Sequence, residues 1–151
     1  MIPYCLGGGQ HSKERLKMKI LIVDDESTVR LAIRMSLRFL GLTNFLEASS
    51  CEEGVMAFAN NEVDLVITDY SFGKGRLTGF DLIKAIRNRS LSVSILLISA
   101  HYEEGVGSAF AVEALDIGAS ALIPKPFRLQ QLRTSVADLL PNAVIEPIVA
   151  L

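Results

Sequence analysis

Asp24, Asp25 and Asp69 are the residues of this chain whose type and placement could do chemistry together. Asp69 closes a strand-like run, Asp64-Leu-Val-Ile-Thr-Asp69, with a glycine-rich loop behind it, and Asp24-Asp25 close another, Lys19-Ile-Leu-Ile-Val23. If both runs lie in one parallel sheet, three carboxylates meet at its carboxyl edge, where loops and helix N-termini converge and ligands collect. Such a cluster either binds a cation or shifts its own pKa values upward. Taken singly, Asp24 and Asp25 read better as helix-capping or solvated acids.

The elements that must position these carboxylates are legible in the hydrophobic pattern. Five short β-branched or leucine-rich runs, at 19–23, 44–48, 64–68, 94–99 and 121–124, alternate with helix-period segments at 27–40, 51–60, 79–87, 103–117 and 129–139. That alternation predicts an α/β fold, a doubly wound parallel sheet of five strands with helices on both faces. The first, third and fourth runs are apolar at nearly every position, as strands covered on both sides are, and should be central. Pro124 assigns the fifth to an edge, since proline cannot donate to a ladder, and the half-polar second suits the other edge. In the helix at 27–40, Ser27 or Thr28 can cap the start, Gly41 follows the end, and Val29, Ala32, Ile33, Ser36, Leu37 and Leu40 share the face toward the sheet. Arg30, Arg34 and Arg38 form a basic stripe beside it, with Leu31 and Met35 facing away from the core. The stripe is either a solvated face with scattered apolar residues or a docking surface for an acidic or helical partner.

Composition bounds the rest. The 151 residues are 50% apolar and 21% charged, enough for one domain with a real core, expected over 18–140. A formal charge of −2 gives no polybasic face, which argues against nucleic-acid binding by this chain itself. Cys5 and Cys51 are too few for a disulfide framework or a zinc site. No apolar run reaches ~18 residues, so no membrane span is expected. The first residues lack the basic start and apolar stretch of a secretory signal, and a cytoplasmic location follows as the expectation. Pro3 and three consecutive glycines mark 1–17 as a flexible extension, with Met18 an alternative start of translation. The tail 141–151 is apolar but broken by Pro147, and either packs on the domain or meets a partner.

Four motifs, Ile22-Val-Asp-Asp-Glu26, Ile67-Thr-Asp-Tyr70, Leu97-Ile-Ser-Ala100 and Gly118-Ala-Ser-Ala-Leu-Ile-Pro-Lys-Pro-Phe127, occur in order, each at a strand's carboxyl end. Together they resemble the receiver domain of two-component response regulators, of the single-domain type. Singly, Ser99 is an ordinary strand-end hydroxyl and Lys125 an ordinary surface lysine. The resemblance implies a flavodoxin-like sheet of order 2-1-3-4-5. It implies that Asp69 accepts a phosphoryl group from a sensor histidine kinase or a histidine phosphotransfer protein, as a switch without free-substrate turnover. It also implies Mg²⁺ held directly by Asp25 and Asp69 with the backbone carbonyl of Ser71, and by Asp24 mainly through water. Lys125 would balance the phosphoryl charge opposite the metal, Ser99 would donate to the phosphoryl oxygens, small Ala100 would leave room for the loop to move, and the Lys125-Pro126 peptide would be cis. The physical chemistry agrees: such a transfer needs positioning and charge neutralisation, a hard cation relieves crowded carboxylates, and a lysine is a compact charge for a phosphate oxygen. The downstream partner is not specified, and the resemblance leaves room for a homodimer through the C-terminal face.

Two departures from the family stand out. Where the family usually carries an aromatic ring that swings with the Ser/Thr switch, this chain has Leu122, which lacks the reach and predicts an altered coupling of Ser99 to the output face. The loop after Asp69 is long, with Gly73 and Gly75 giving it freedom and Lys74 and Arg76 placing positive charge near the site; it is either a solvated loop or one that steers a phosphodonor. The alternative function is a receiver-fold interaction module that is never phosphorylated. A flavin- or nucleotide-binding domain is weakly supported, because Glu26-Ser27-Thr28 stands where a glycine-rich phosphate loop would be. His11 and His101 have no ligand-like partners nearby in the sequence, and His101 is expected at the pocket rim.

Overall fold

A computed structural model describes residues 17–101 and 108–140. The expected extension 1–17, except Lys17, the tail 141–151 and the first turn of the helix expected from residue 103 lie outside them. Five parallel strands, β1 (Lys19–Val23), β2 (Asn44–Ala48), β3 (Leu65–Asp69), β4 (Ser94–Ser99) and β5 (Ala121–Pro124), form one sheet of order β2-β1-β3-β4-β5. The helices among the described residues are α1 (Ser27–Arg38), α2 (Cys51–Ala59), α3 (Gly79–Arg87), α4 (Ser108–Ile117) and α5 (Leu129–Leu139). As expected, β5 with Pro124 and the half-polar β2 are the edges.

The period-2 alternation of strands sorts the core into two layers. Ile20, Ile22, Leu65, Ile67, Leu96 and Ile98 pack against Ile33 and Leu37 of α1 and Leu132 and Val136 of α5. Leu21, Val23, Val66, Ile95 and Leu97 face the other way, onto α2, α3 and Ala114 of α4. Both sides of the central strands are therefore dry, and burying each such Leu or Ile contributes about 1.5–3 kcal/mol.

The ends of the elements differ from the sequence reading in ways that have physical causes. Asp64 is not a strand residue; its carboxylate accepts the Lys19 N–H at 2.8 Å at the start of β1, and β3 runs from Leu65 to Asp69. The N-cap of α1 is Glu26 rather than Ser27 or Thr28, and the Glu26 N–H is taken by Asp24 Oδ1 at 2.9 Å. Helix α1 stops at Arg38 because Leu42 and Gly41 donate backward to Leu37 and Arg38, a Schellman ending with Gly41 at φ 77°. At the amino edge of the sheet, Arg87 spans from the end of α3 to the end of α4. Its Nε and Nη2 donate to the Gly118 carbonyl at 2.9 and 2.7 Å, and its Nη1 donates to the Ser90 carbonyl at 3.1 Å.

Cys51, the first residue of α2, is buried, and burial followed by the charges of Glu52 and Asp81 pushes its thiol up from 9.0 to about 11. The folded protein therefore holds that proton where the unfolded chain releases it, and stability falls as pH rises from 9 toward 11. Denaturant titrations across that range are expected to show a shallower alkaline loss in Cys51→Ala than in the parent; parallel slopes would refute it.

Candidate functional site

Strand register builds the site. Val23 pairs with Thr68 and Asp69 with Ile98, while Ser99 pairs with Pro124. Asp24 and Asp69, each one step beyond the Val23/Thr68 pair, therefore emerge side by side, with strands ~4.8 Å apart. Ser99 and Lys125 leave the same edge one and two strands further along. One carboxylate oxygen from each of Asp24, Asp25 and Asp69 lies within 4.8 Å of the other two, with Asp24 and Asp69 buried and Asp25 exposed.

Lys125 closes the cluster, its Nζ donating to Asp24 Oδ2 at 3.2 Å and to Asp69 Oδ2 at 3.0 Å. Burial alone would lower the lysine's pKa, but the bond and charge of Asp69, then those of Asp24, outweigh it and hold the ammonium above its usual range. For Asp24 the balance goes the other way: burial, helped by the charge of Asp69, raises its carboxyl against the Glu26 N–H and Lys125. The lysine faces two anions, whereas Asp24 faces one cation and another anion. The cluster is thus short of positive charge, and its all-oxygen donor set suits a hard divalent cation.

The remaining sequence-derived residues fall around this centre. Ser99 is buried, and its Oγ accepts the His101 N–H at 2.9 Å, which leaves the hydroxyl proton free to point elsewhere. Ala100 is exposed at the rim, Ser71 follows directly on β3, and the Lys125-Pro126 peptide is cis. Ala100, Lys125 and Pro126 line an open groove of about 500 Å³ with Glu26, Thr28, Val29, Ala32 and Phe127. Lys74 and Arg76 are exposed on a loop with Gly73 at φ 115° and Gly75 at φ 75°. Leu122 is half-buried opposite Leu97 and packs into the core.

The stripe on α1 is not a free solvated row. Arg30 and Arg34 reach across to Glu47 of β2, with Nε to carboxylate oxygen distances of 3.0 and 3.4 Å, and Arg30 Nη1 donates to the Asp24 carbonyl at 2.6 Å. Leu31 and Met35 remain exposed, and Phe39 extends them, with the Arg133 guanidinium 5.5 Å from its ring centre.

Two features escaped the sequence reading. A Cβ on Gly79, the first residue of α3, would lie 2.4 Å from the Asp69 carbonyl oxygen, so the helix start is pressed against the backbone of the acidic residue itself. The second is an aromatic cluster of Tyr70, Phe80, His101 and Phe110, with centroid separations of 4.9 to 6.2 Å. The glycine's placement before a helix was the available signal for the first; nothing local marks the second.

A flavodoxin-like sheet whose first loop carries acids instead of glycines defines the receiver class of α/β domains. The chain matches the response regulator receiver domain family over residues 20–137 and belongs to it. It is 38% identical over 122 residues to the chemotaxis protein CheY1 of Helicobacter pylori, covering 77% of this chain and 91% of the relative. It is 33% identical to the chemotaxis protein CheY of Pseudomonas aeruginosa over 121 residues, covering 79% and 93%. The crystal structure of a response regulator receiver domain protein from Clostridium thermocellum superposes with a TM-score of 0.70 at 31% identity, covering 82% of this chain and 94% of that one. Members of the family are phosphoacceptor switches of two-component signalling rather than enzymes that turn over a free substrate, and they work with histidine kinases and downstream proteins. Among the described residues no helix is long and apolar enough to cross a membrane.

Proposed function

We propose that Asp69 of this chain accepts a phosphoryl group from the histidine of a sensor kinase or histidine phosphotransfer protein, with Mg²⁺ at the acidic cluster, and that the domain then signals or relays by protein contact. The observation that carries this reading is the Lys125 ammonium shared by Asp24 and Asp69, with Asp25 in reach of both. In the transfer, a carboxylate oxygen of Asp69 forms the new bond to phosphorus as the phosphorus–nitrogen bond of the phosphohistidine breaks, and the imidazole nitrogen leaves with the electron pair. Asp24, Asp25, Asp69 and the Ser71 carbonyl would hold the ion, which when bound would supply positive charge against the phosphoryl oxygens. Lys125 turns from the Asp69 carboxylate to a phosphoryl oxygen, and the Ser99 hydroxyl donates to another. The groove beside Lys125 gives the donor protein a way in, and Lys74 and Arg76, exposed on the loop that follows Asp69, would add positive charge that steers it.

Intact mass after incubation with Mg²⁺ and acetyl phosphate is the test. The parent is expected to gain one phosphoryl group and Asp69→Asn none. An adduct that survives Asp69→Asn moves the acceptor elsewhere, and a parent that stays unlabelled leaves a receiver-fold interaction module.

A further inference from the structure

The route from the site to α4 runs through residues that the usual switch does not use. We infer that Tyr70, with His101 and Phe110, is the read-out ring of this receiver, taking the place that Leu122 leaves empty; the inference rests on the phosphoacceptor reading above.

Four observations converge on it. Tyr70 is joined directly to Asp69, and its N–H is shared between Asp69 Oδ1 at 2.8 Å and the Ile98 carbonyl at 3.0 Å. The His101 N–H rests on Ser99 Oγ at 2.9 Å, so any movement of that hydroxyl toward Asp69 changes the support of His101. The His101 ring stands edge-on to Tyr70, 5.1 Å between centroids at 90°, and Tyr70 meets Phe110 of α4 the same way at 5.0 Å and 83°. Helix α4 itself is lightly held: of its residues with described side chains only Ala114 is fully buried, while Val112 and Leu115 are 57% and 51% exposed. Phe110, stacked 5.0 Å from Phe80, is therefore one of the few anchors of α4, and it touches the ring bonded to the acceptor's neighbour. Mobile switching elements are drawn from such weakly packed segments. Leu122 sits in the same packing layer but reaches neither Ser99 nor the rim with a ring.

A change at Asp69 and Ser99 is thus delivered at two points of one aromatic contact. The Tyr70 backbone feels Asp69, the His101 backbone feels Ser99, and their rings share an edge against which Phe110 leans. The ring is the working part, so phenylalanine at position 70 should preserve the relay and leucine should not.

Amide chemical shifts of residues 109–117, recorded with and without Mg²⁺ and beryllium fluoride as acyl-phosphate mimic, read the outcome. The parent and Tyr70→Phe are expected to show the α4 shifts, Leu122→Val to retain them, and Tyr70→Leu to lose them while still gaining one phosphoryl group by intact mass with acetyl phosphate. Full α4 shifts in Tyr70→Leu, their loss in Leu122→Val, or their loss in Tyr70→Phe overturns the relay alone. A parent that gains no phosphoryl group removes the phosphoacceptor reading and the relay with it. A core role for Tyr70 would lower stability in Tyr70→Leu without separating phosphate uptake from the response of α4.

Discussion

Asp24→Asn is expected to melt higher than the parent in chelator, by the few degrees that about 1 kcal/mol produces in a domain of this size, and to lose most of the stabilisation that Mg²⁺ gives the parent. Asp24 is 2% exposed and shares its site with two other carboxylates and one ammonium. Without a divalent cation, burial and the charge of Asp69 disfavour its ionised form more than Lys125 and the Glu26 N–H favour it. Asparagine keeps an oxygen for the Glu26 N–H and leaves Lys125 to Asp69, which removes the repulsion and keeps the stronger contact. With the cation the sign reverses, because a ligand at tenfold excess over its dissociation constant adds about 1.4 kcal/mol to the state that binds it. Thermal melts of both proteins in EDTA and in MgCl₂ decide the matter. A variant that melts below the parent in EDTA, or gains as much from MgCl₂, contradicts the account of a charge-starved cluster.

Gly79→Ala is expected to damage the protein more than any other single methyl addition near the site. The new Cβ would stand 2.4 Å from the Asp69 carbonyl oxygen and 3.0 Å from Tyr70 Cα, both backbone atoms that cannot rotate away, and 3.1 Å from Leu97 Cδ1. The Gly79 N–H also donates to the Tyr70 carbonyl at 2.7 Å, so helix and strand cannot simply separate. Alanine's better helix propensity returns at most ~1 kcal/mol, while overpacking costs ~1–3 kcal/mol or more, and against fixed backbone the upper end applies. A net loss of about 2 kcal/mol follows, and the Asp69 carboxylate is displaced from its partners. A shift of ~1 Å in a reacting group slows chemistry by on the order of a hundredfold, and phosphate uptake by mass should fall on that scale. Gly75→Ala supplies the contrast: its φ is 75° but nothing lies within 4 Å, so strain of ~1–2 kcal/mol is expected with uptake unchanged. Equal uptake in the parent and Gly79→Ala would show that the close approach does not position Asp69.

Much of the fold was legible because the central strands are covered on both faces and so read as unbroken apolar runs, with the acids marking their ends. Asp24, Asp69, Ser99 and Lys125 could be assembled from the sequence because parallel register carries strand ends to one edge. The cap of α1 was misplaced because Asp24 serves the cluster and the Glu26 N–H at once, and a local rule sees only one of those duties. The arginine stripe of α1 was read without Glu47, which belongs to β2. The Tyr70–Phe110 contact joins residues forty positions apart with no periodicity between them. Such pairings are products of packing, and no window on the sequence holds both partners.

The Arg87 bridge gives α4 a fulcrum. Its C-terminal end is tethered through the Gly118 carbonyl to the end of α3, while the site touches it near the opposite end, through Phe110. A rod of ten residues, ~15 Å long, tied at one tip and lightly packed along its length moves most easily by pivoting. Its displacement is then largest beside the aromatic cluster, at Ala109 and Phe110, and dies away toward Asp116, so a shift of Phe110 tilts α4 instead of translating it.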